Sequence, residues 1–186
     1  TVAAGSYGIE GAAGDPIVVD VENLTIRGAL AGTGGHDASR TNNGVVDDSG
    51  TRNGAAWVVP ESSEAEINDP VRITAPGVTI DGVTFDVTGI FGFSGDTELS
   101  GGDRAVDFTG GTRIINSRFI ETDGGDSGAG NQVELSTTKA SINGLLISRN
   151  AFLGEVPGVQ IGSADFAGDI DITDNYIEDG SLNFTV

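Results

Sequence analysis

The 186-residue chain has no cysteine, no methionine, one histidine (His36) and one lysine (Lys139). Without cysteine there is no disulfide, no thiolate metal site and no cysteine nucleophile. His36 has no companion at a spacing that suggests a Ser-His-Asp triad. No apolar run approaches the length of a membrane span, so insertion into a bilayer is not expected. No amphipathic stretch at helical spacing exceeds about two turns, which argues against a helical bundle and against alternating strands and helices. Basic residues are scarce: 9 face 28 acidic ones, for a net charge of −19. Such a surface repels nucleic acid and anionic membrane. The chain opens without an initiator methionine or a signal peptide, so it reads as processed or as a piece of something longer.

What the chain does have is repetition. An apolar–polar–apolar triplet recurs at Val71-Arg72-Ile73, Val106-Asp107-Phe108, Val133-Glu134-Leu135, Val159-Gln160-Ile161 and Leu182-Asn183-Phe184. The copies start 35, 27, 26 and 23 residues apart. A short strand returning at that interval predicts a stack of similar units, each covering the last. A second strand follows each triplet, as in Val78-Thr79-Ile80-Asp81-Gly82-Val83-Thr84-Phe85. Later copies pair Ile114 with Phe119, Ile147 with Phe152 and Ile172 with Ile177, with Asn116-Ser117, Asn150 and Asp174-Asn175 as corners. Gly and Asn tolerate the left-handed backbone of a sharp corner. Asn23-Leu24-Thr25-Ile26-Arg27-Gly28 is an earlier copy of the first half of that second strand. Period-2 alternation points every second residue inward. The 30 glycines suit many short strands joined by corners.

The corner pattern in Val78–Phe85, in Leu146-Ile147-Ser148-Arg149-Asn150-Ala151-Phe152 and in Ile172-Thr173-Asp174-Asn175-Tyr176-Ile177 resembles the repeat of the pectin-lyase-like superfamily. Thr1–Tyr7 is similar to the end of the opening segment in that group. The resemblance implies an all-β fold, a right-handed single-stranded parallel β-helix (solenoid) of about six or seven coils, with 1–186 as a single domain. The superfamily includes polysaccharide lyases, glycoside hydrolases, phage spikes, adhesins and structural surface proteins, so the fold leaves the function open.

Three loops interrupt the coils, at 30–55, 87–104 and 122–131. The second carries Ile90, Phe91 and Phe93 among glycines. Three large apolar side chains need a cover, either the body or another subunit. Ile115 and Leu146 fall on outward strand positions and need one too. These five residues form the candidate subunit contact.

The middle residues of the triplets form an outward ladder: Arg72, Asp107, Glu134, Gln160, Asn183. Asp107 and Glu134 are neighbours on it, and like charges side by side in a sheet are destabilising unless compensated. A calcium ion could bridge them, or Arg72 could neutralise Asp107. The resemblance implies that a lyase would hold calcium with carboxylates on adjacent coils and use a basic residue as base. No lysine or arginine is placed beyond the pair for that step. Asp47-Asp48 and Asp123–Asp126 lie in loops, and Asp169 with Asp171 lacks acidic partners across coils. A second column, Thr74, Thr109, Ser136, Gly162 and Thr185, offers hydroxyl groups to a sugar chain, although threonine also favours exposed strand positions on its own account. Sequons occur at Asn23 and Asn183.

The sequence begins and ends in strands, Thr1-Val2 and Leu182–Val186, with no capping helix. Uncapped strand edges invite further strands, and head-to-tail contacts between identical subunits propagate rather than close. The expectation is a secreted or cell-surface structural or adhesive module without catalytic activity. Its partners would be identical subunits, through end-to-end stacking or strand donation, and polysaccharide. Its acidic, lysine-poor coat resembles those of proteins from salt-loving or marine microbes. The alternative is a calcium-assisted polysaccharide lyase or another carbohydrate-active enzyme.

Overall fold

The computed structural model describes residues 1, 3, 5–7, 17–36, 65–67, 71–86, 106–108, 111–120, 133–135, 144–153, 159–161, 169–177 and 182–184. Among these residues there are seventeen strands and no helix. In chain order they are β1 (Gly5–Tyr7), β2 (Ile17–Val19), β3 (Thr25–Arg27), β4 (Ala65–Ile67), β5 (Val71–Ile73) and β6 (Thr79–Asp81). Then come β7 (Val83–Asp86), β8 (Val106–Phe108), β9 (Arg113–Ile115), β10 (Arg118–Ile120), β11 (Val133–Leu135) and β12 (Leu145–Ser148). The last five are β13 (Ala151–Leu153), β14 (Val159–Ile161), β15 (Ile170–Thr173), β16 (Tyr176–Ile177) and β17 (Leu182–Phe184).

The strands form three sheets. The first has the order β1-β4-β7-β10-β13-β16 and the second β2-β5-β8-β11-β14-β17. The third has the order β3-β6-β9-β12-β15. Neighbours in a sheet are three strands apart in the chain, and their pairing is parallel. The fold is therefore all-β with parallel sheets. The expected triplets pair in register: Val71 with Val106, Val106 with Val133, and Val159 with Leu182. Among the described residues the first and last strands are Gly5–Tyr7 and Leu182–Phe184; Val2, Thr185 and Val186, where end strands are expected, lie outside them.

The run 78–85, which reads as one strand with a turn inside it, is divided between two sheets. The division falls at Gly82, whose φ is 72°. The equivalent residues in the next three copies are Asn116 (φ 53°), Arg149 (φ 58°) and Asp174 (φ 55°). A second left-handed column precedes the third sheet, at Asn23 (φ 56°), Gly77 (φ 74°), Gly111 (φ 74°) and Gly144 (φ 73°). In the copy whose corner the sequence places at Asn150, the left-handed residue is Arg149, one position earlier.

Asn150 has a different task. It is fully buried. Its Oδ1 accepts the Ser117 amide (2.9 Å) and its Nδ2 donates to the Ile114 carbonyl (2.9 Å). Asn175 repeats this one copy on: Oδ1 accepts the Asn150 amide (2.9 Å) and Nδ2 donates to the Ile147 carbonyl (2.9 Å). Ser117 holds the same place one copy earlier, with its Oγ 3.4 Å from the Val83 amide. A corner bends the backbone out of the sheet ladder, and these side chains satisfy groups that would otherwise be buried without partners.

The core lies between the sheets. Val71, Ile73, Val78, Ile80, Val83, Ile114, Leu145 and Ile147 are buried there. Phe85, Phe119 and Phe152 occupy one column of the first sheet. Their rings stack with centroids 5.0 and 4.8 Å apart and interplanar angles of 3° and 8°. That spacing is the parallel strand repeat itself.

Candidate functional site

The second sheet brings the outward ladder together along its backbone. Val18 pairs with Arg72, Arg72 with Asp107, Asp107 with Glu134, Glu134 with Gln160 and Gln160 with Asn183. Paired residues on adjacent strands sit about 4.8 Å apart, and this is the backbone spacing between positions 107 and 134. The side chains of Asp107 and Glu134 lie outside the described residues. Among the described residues, no three of His, Cys, Asp and Glu gather as a metal cluster.

The third sheet carries the outward rows predicted for it. Thr79 pairs with Arg113, Arg113 with Leu146 and Leu146 with Asp171. The neighbouring row is Asp81, Ile115, Ser148 and Thr173. Ile115 and Leu146 stand on adjacent strands, β9 and β12, and both are half-buried. Ile90, Phe91 and Phe93 lie outside the described residues. The structure thus brings two of the five candidate contact residues near one another.

Sequence reasoning missed a third place. Residues 28–36 leave the end of β3 and run across the corners between the third and first sheets. Ala31 lies against Gly82, since a Cβ on Gly82 would collide with it. Gly32 donates its amide to Asp81 Oδ1 (3.0 Å). Gly35 donates its amide to the Arg149 carbonyl (2.7 Å). His36 stacks on Tyr176, with ring centroids 3.8 Å apart and planes 8° apart. The strap therefore reaches from the corner after β3 to the corner after β15.

Two buried charges lie beneath it. Asp81 is buried; its Oδ1 also accepts Asn116 Nδ2 (2.7 Å) and its Oδ2 lies 3.7 Å from Arg27 Nε. Arg118 is only 1% exposed, and its Nε donates to the Gly35 carbonyl (2.8 Å). Arg118 stands at an outward position of β10, between Thr84 and Ala151. An arginine there would normally face water; the strap covers it. The signal in the sequence was the run Gly28-Ala-Leu-Ala-Gly-Thr-Gly-Gly35. Only small residues let one backbone lie this close to another: a Cβ on Gly35 would collide with the Ser117 carbonyl and the Ala151 amide.

Among the described residues the arrangement is of rows of side chains along strands. No helix there is long and apolar enough to cross a membrane. Comparison with protein-family models, curated proteins and solved structures finds no match.

Proposed function

We propose that the chain is a right-handed single-stranded parallel β-helix. It serves as a secreted or cell-surface structural or adhesive module without catalytic activity, and it stacks end to end with copies of itself. The three-strand chain order supports the winding, because neighbours in every sheet are three strands apart. One observation carries the stacking. Ile17 on β2 and Ile26 on β3 are half-buried, whereas their register partners one copy on, Val71 and Ile80, are each 1% exposed. At the far side Ile170, Ile172 and Ile177 are again half-buried. Among the described residues, several inward-facing aliphatic side chains at both edges are thus less covered than those of the copies between, and Val18, Val21 and Leu24 beside the first edge are exposed. Another set of parallel strands would supply a covering layer and pair the edge backbone.

Electron microscopy of the purified chain tests this, together with sedimentation at rising concentration. Filaments one molecule wide are expected, and Ile26→Asp should abolish them. Dispersed monomers at every concentration would overturn the stacking.

A second reading rests on the pairing of Asp107 with Glu134. It is a calcium-assisted polysaccharide lyase or related carbohydrate-active enzyme. Calorimetric titration with calcium and cleavage assays on anionic polysaccharides would separate the two readings. Calcium binding and cleavage that both disappear in Asp107→Ala and Glu134→Ala would favour the enzyme.

A further inference from the structure

We propose that residues 28–36 form a clasp that closes last in folding and sets how slowly the molecule unfolds. In a stack of repeats each unit touches only its neighbours, so the ends can fray independently of the middle. The strap breaks that rule. It starts beside the left-handed corner at Gly82 and ends on Tyr176, beside the corner at Asp174, three corners further along the stack. Its contacts skip copies: Arg118 Nε to Gly35 O joins residues 83 apart in sequence, and Arg149 Nη2 to Gly32 O (3.5 Å) joins residues 117 apart.

The order of events follows from loop entropy. The strap has no seat until β6, β9, β12 and β15 lie side by side, because its contacts come from the corners that follow those strands. Closing it earlier would cost the entropy of a loop of over a hundred residues with no contacts to offset it. Interactions made after the transition state slow unfolding and leave the folding rate unchanged. Burial of Arg118 under the strap adds to the effect: lifting the strap removes the acceptor at Gly35 and admits water to a side chain that is 1% exposed.

Two neighbouring glycines give a matched test. A Cβ on Gly35 would collide with backbone of Ser117 and Ala151, whereas a Cβ on Gly34 would meet Arg149 Nη2 at an ordinary 3.5 Å. Both substitutions are Gly→Ala in one segment, so their effects on the unfolded chain are alike. Unfolding and refolding rates would be measured by stopped-flow denaturant jumps on the full chain. Gly35→Ala is expected to accelerate unfolding about tenfold and change refolding less than about twofold. Gly34→Ala should leave both rates near those of the parent. His36→Ala, which removes the far anchor, should accelerate unfolding about threefold. Equal unfolding rates for the Gly34→Ala and Gly35→Ala variants would overturn the proposal. So would refolding slowed as much as unfolding is accelerated, or a Gly35→Ala chain that cannot fold, since a clasp that closes last is not needed to reach the fold.

Discussion

Asn150 shows how one side chain can hold a corner. It links three copies: its amide group serves Ser117 and Ile114, and its backbone N–H is taken by Asn175. Asn150→Ala takes the side-chain acceptor from the buried Ser117 N–H and the donor from the Ile114 carbonyl, a cost of about 1–3 kcal/mol. Asn150→Ser keeps an acceptor but cannot reach the Ile114 carbonyl, so about half that loss is expected. Ser117 already fills the equivalent place one copy earlier. Urea unfolding of the two variants checks the ranking. One residue before the equivalent Asn175, Asp174 is exposed and left-handed, with φ 55°. Asp174→Gly should change stability by less than about 0.5 kcal/mol. Asp174→Val, which forces a β-branched residue into that conformation, should cost roughly 1–2 kcal/mol.

At the scale of elements, the phenylalanine column ties three strands of the first sheet. Phe119 on β10 lies between Phe85 on β7 and Phe152 on β13 and stacks on both. Phe119→Ala would open a cavity that touches both neighbours and should cost about 3–5 kcal/mol by thermal or urea unfolding. Phe119→Leu should cost markedly less, because it refills most of the volume. The strap is a second element-scale device, and it differs in kind. The column joins adjacent strands, and the strap also ties β3 to Arg149 and Tyr176, on copies that β3 does not pair with.

For the whole molecule, charge dominates. A net charge of −19 on 186 residues opposes any compact state through self-repulsion. Screening shortens from about 10 Å at 0.1 M salt to about 3 Å at 1 M. The thermal unfolding midpoint, followed by circular dichroism, should therefore rise as sodium chloride increases from 0.05 to 1 M. A flat profile would mean that the acidic groups are already compensated locally. The same screening should favour end-to-end stacking, because each added copy brings the same negative charge.

Much of the architecture was legible in the residues because strand periodicity is local and the repeats are close copies. The triplets from Val71 to Phe184, the columns of Ile and Phe, and the outward rows on the third sheet all follow from alternation and spacing. The order of the ladder from Arg72 to Asn183 followed likewise, since parallel register is set by which side chains must face inward. Three things were not local and so stayed hidden. The run 78–85 enters two sheets because one left-handed residue turns the backbone, and a lone glycine does not announce which way. Arg149 rather than Asn150 takes the left-handed conformation because Asn150 is needed inside, to serve backbone groups on another copy. The glycine-rich segment after β3 reads as a loop, yet tertiary packing lays it across four corners and buries Arg118 under it. Alternation dictates which way a side chain points; only the assembled molecule decides what comes to lie over it.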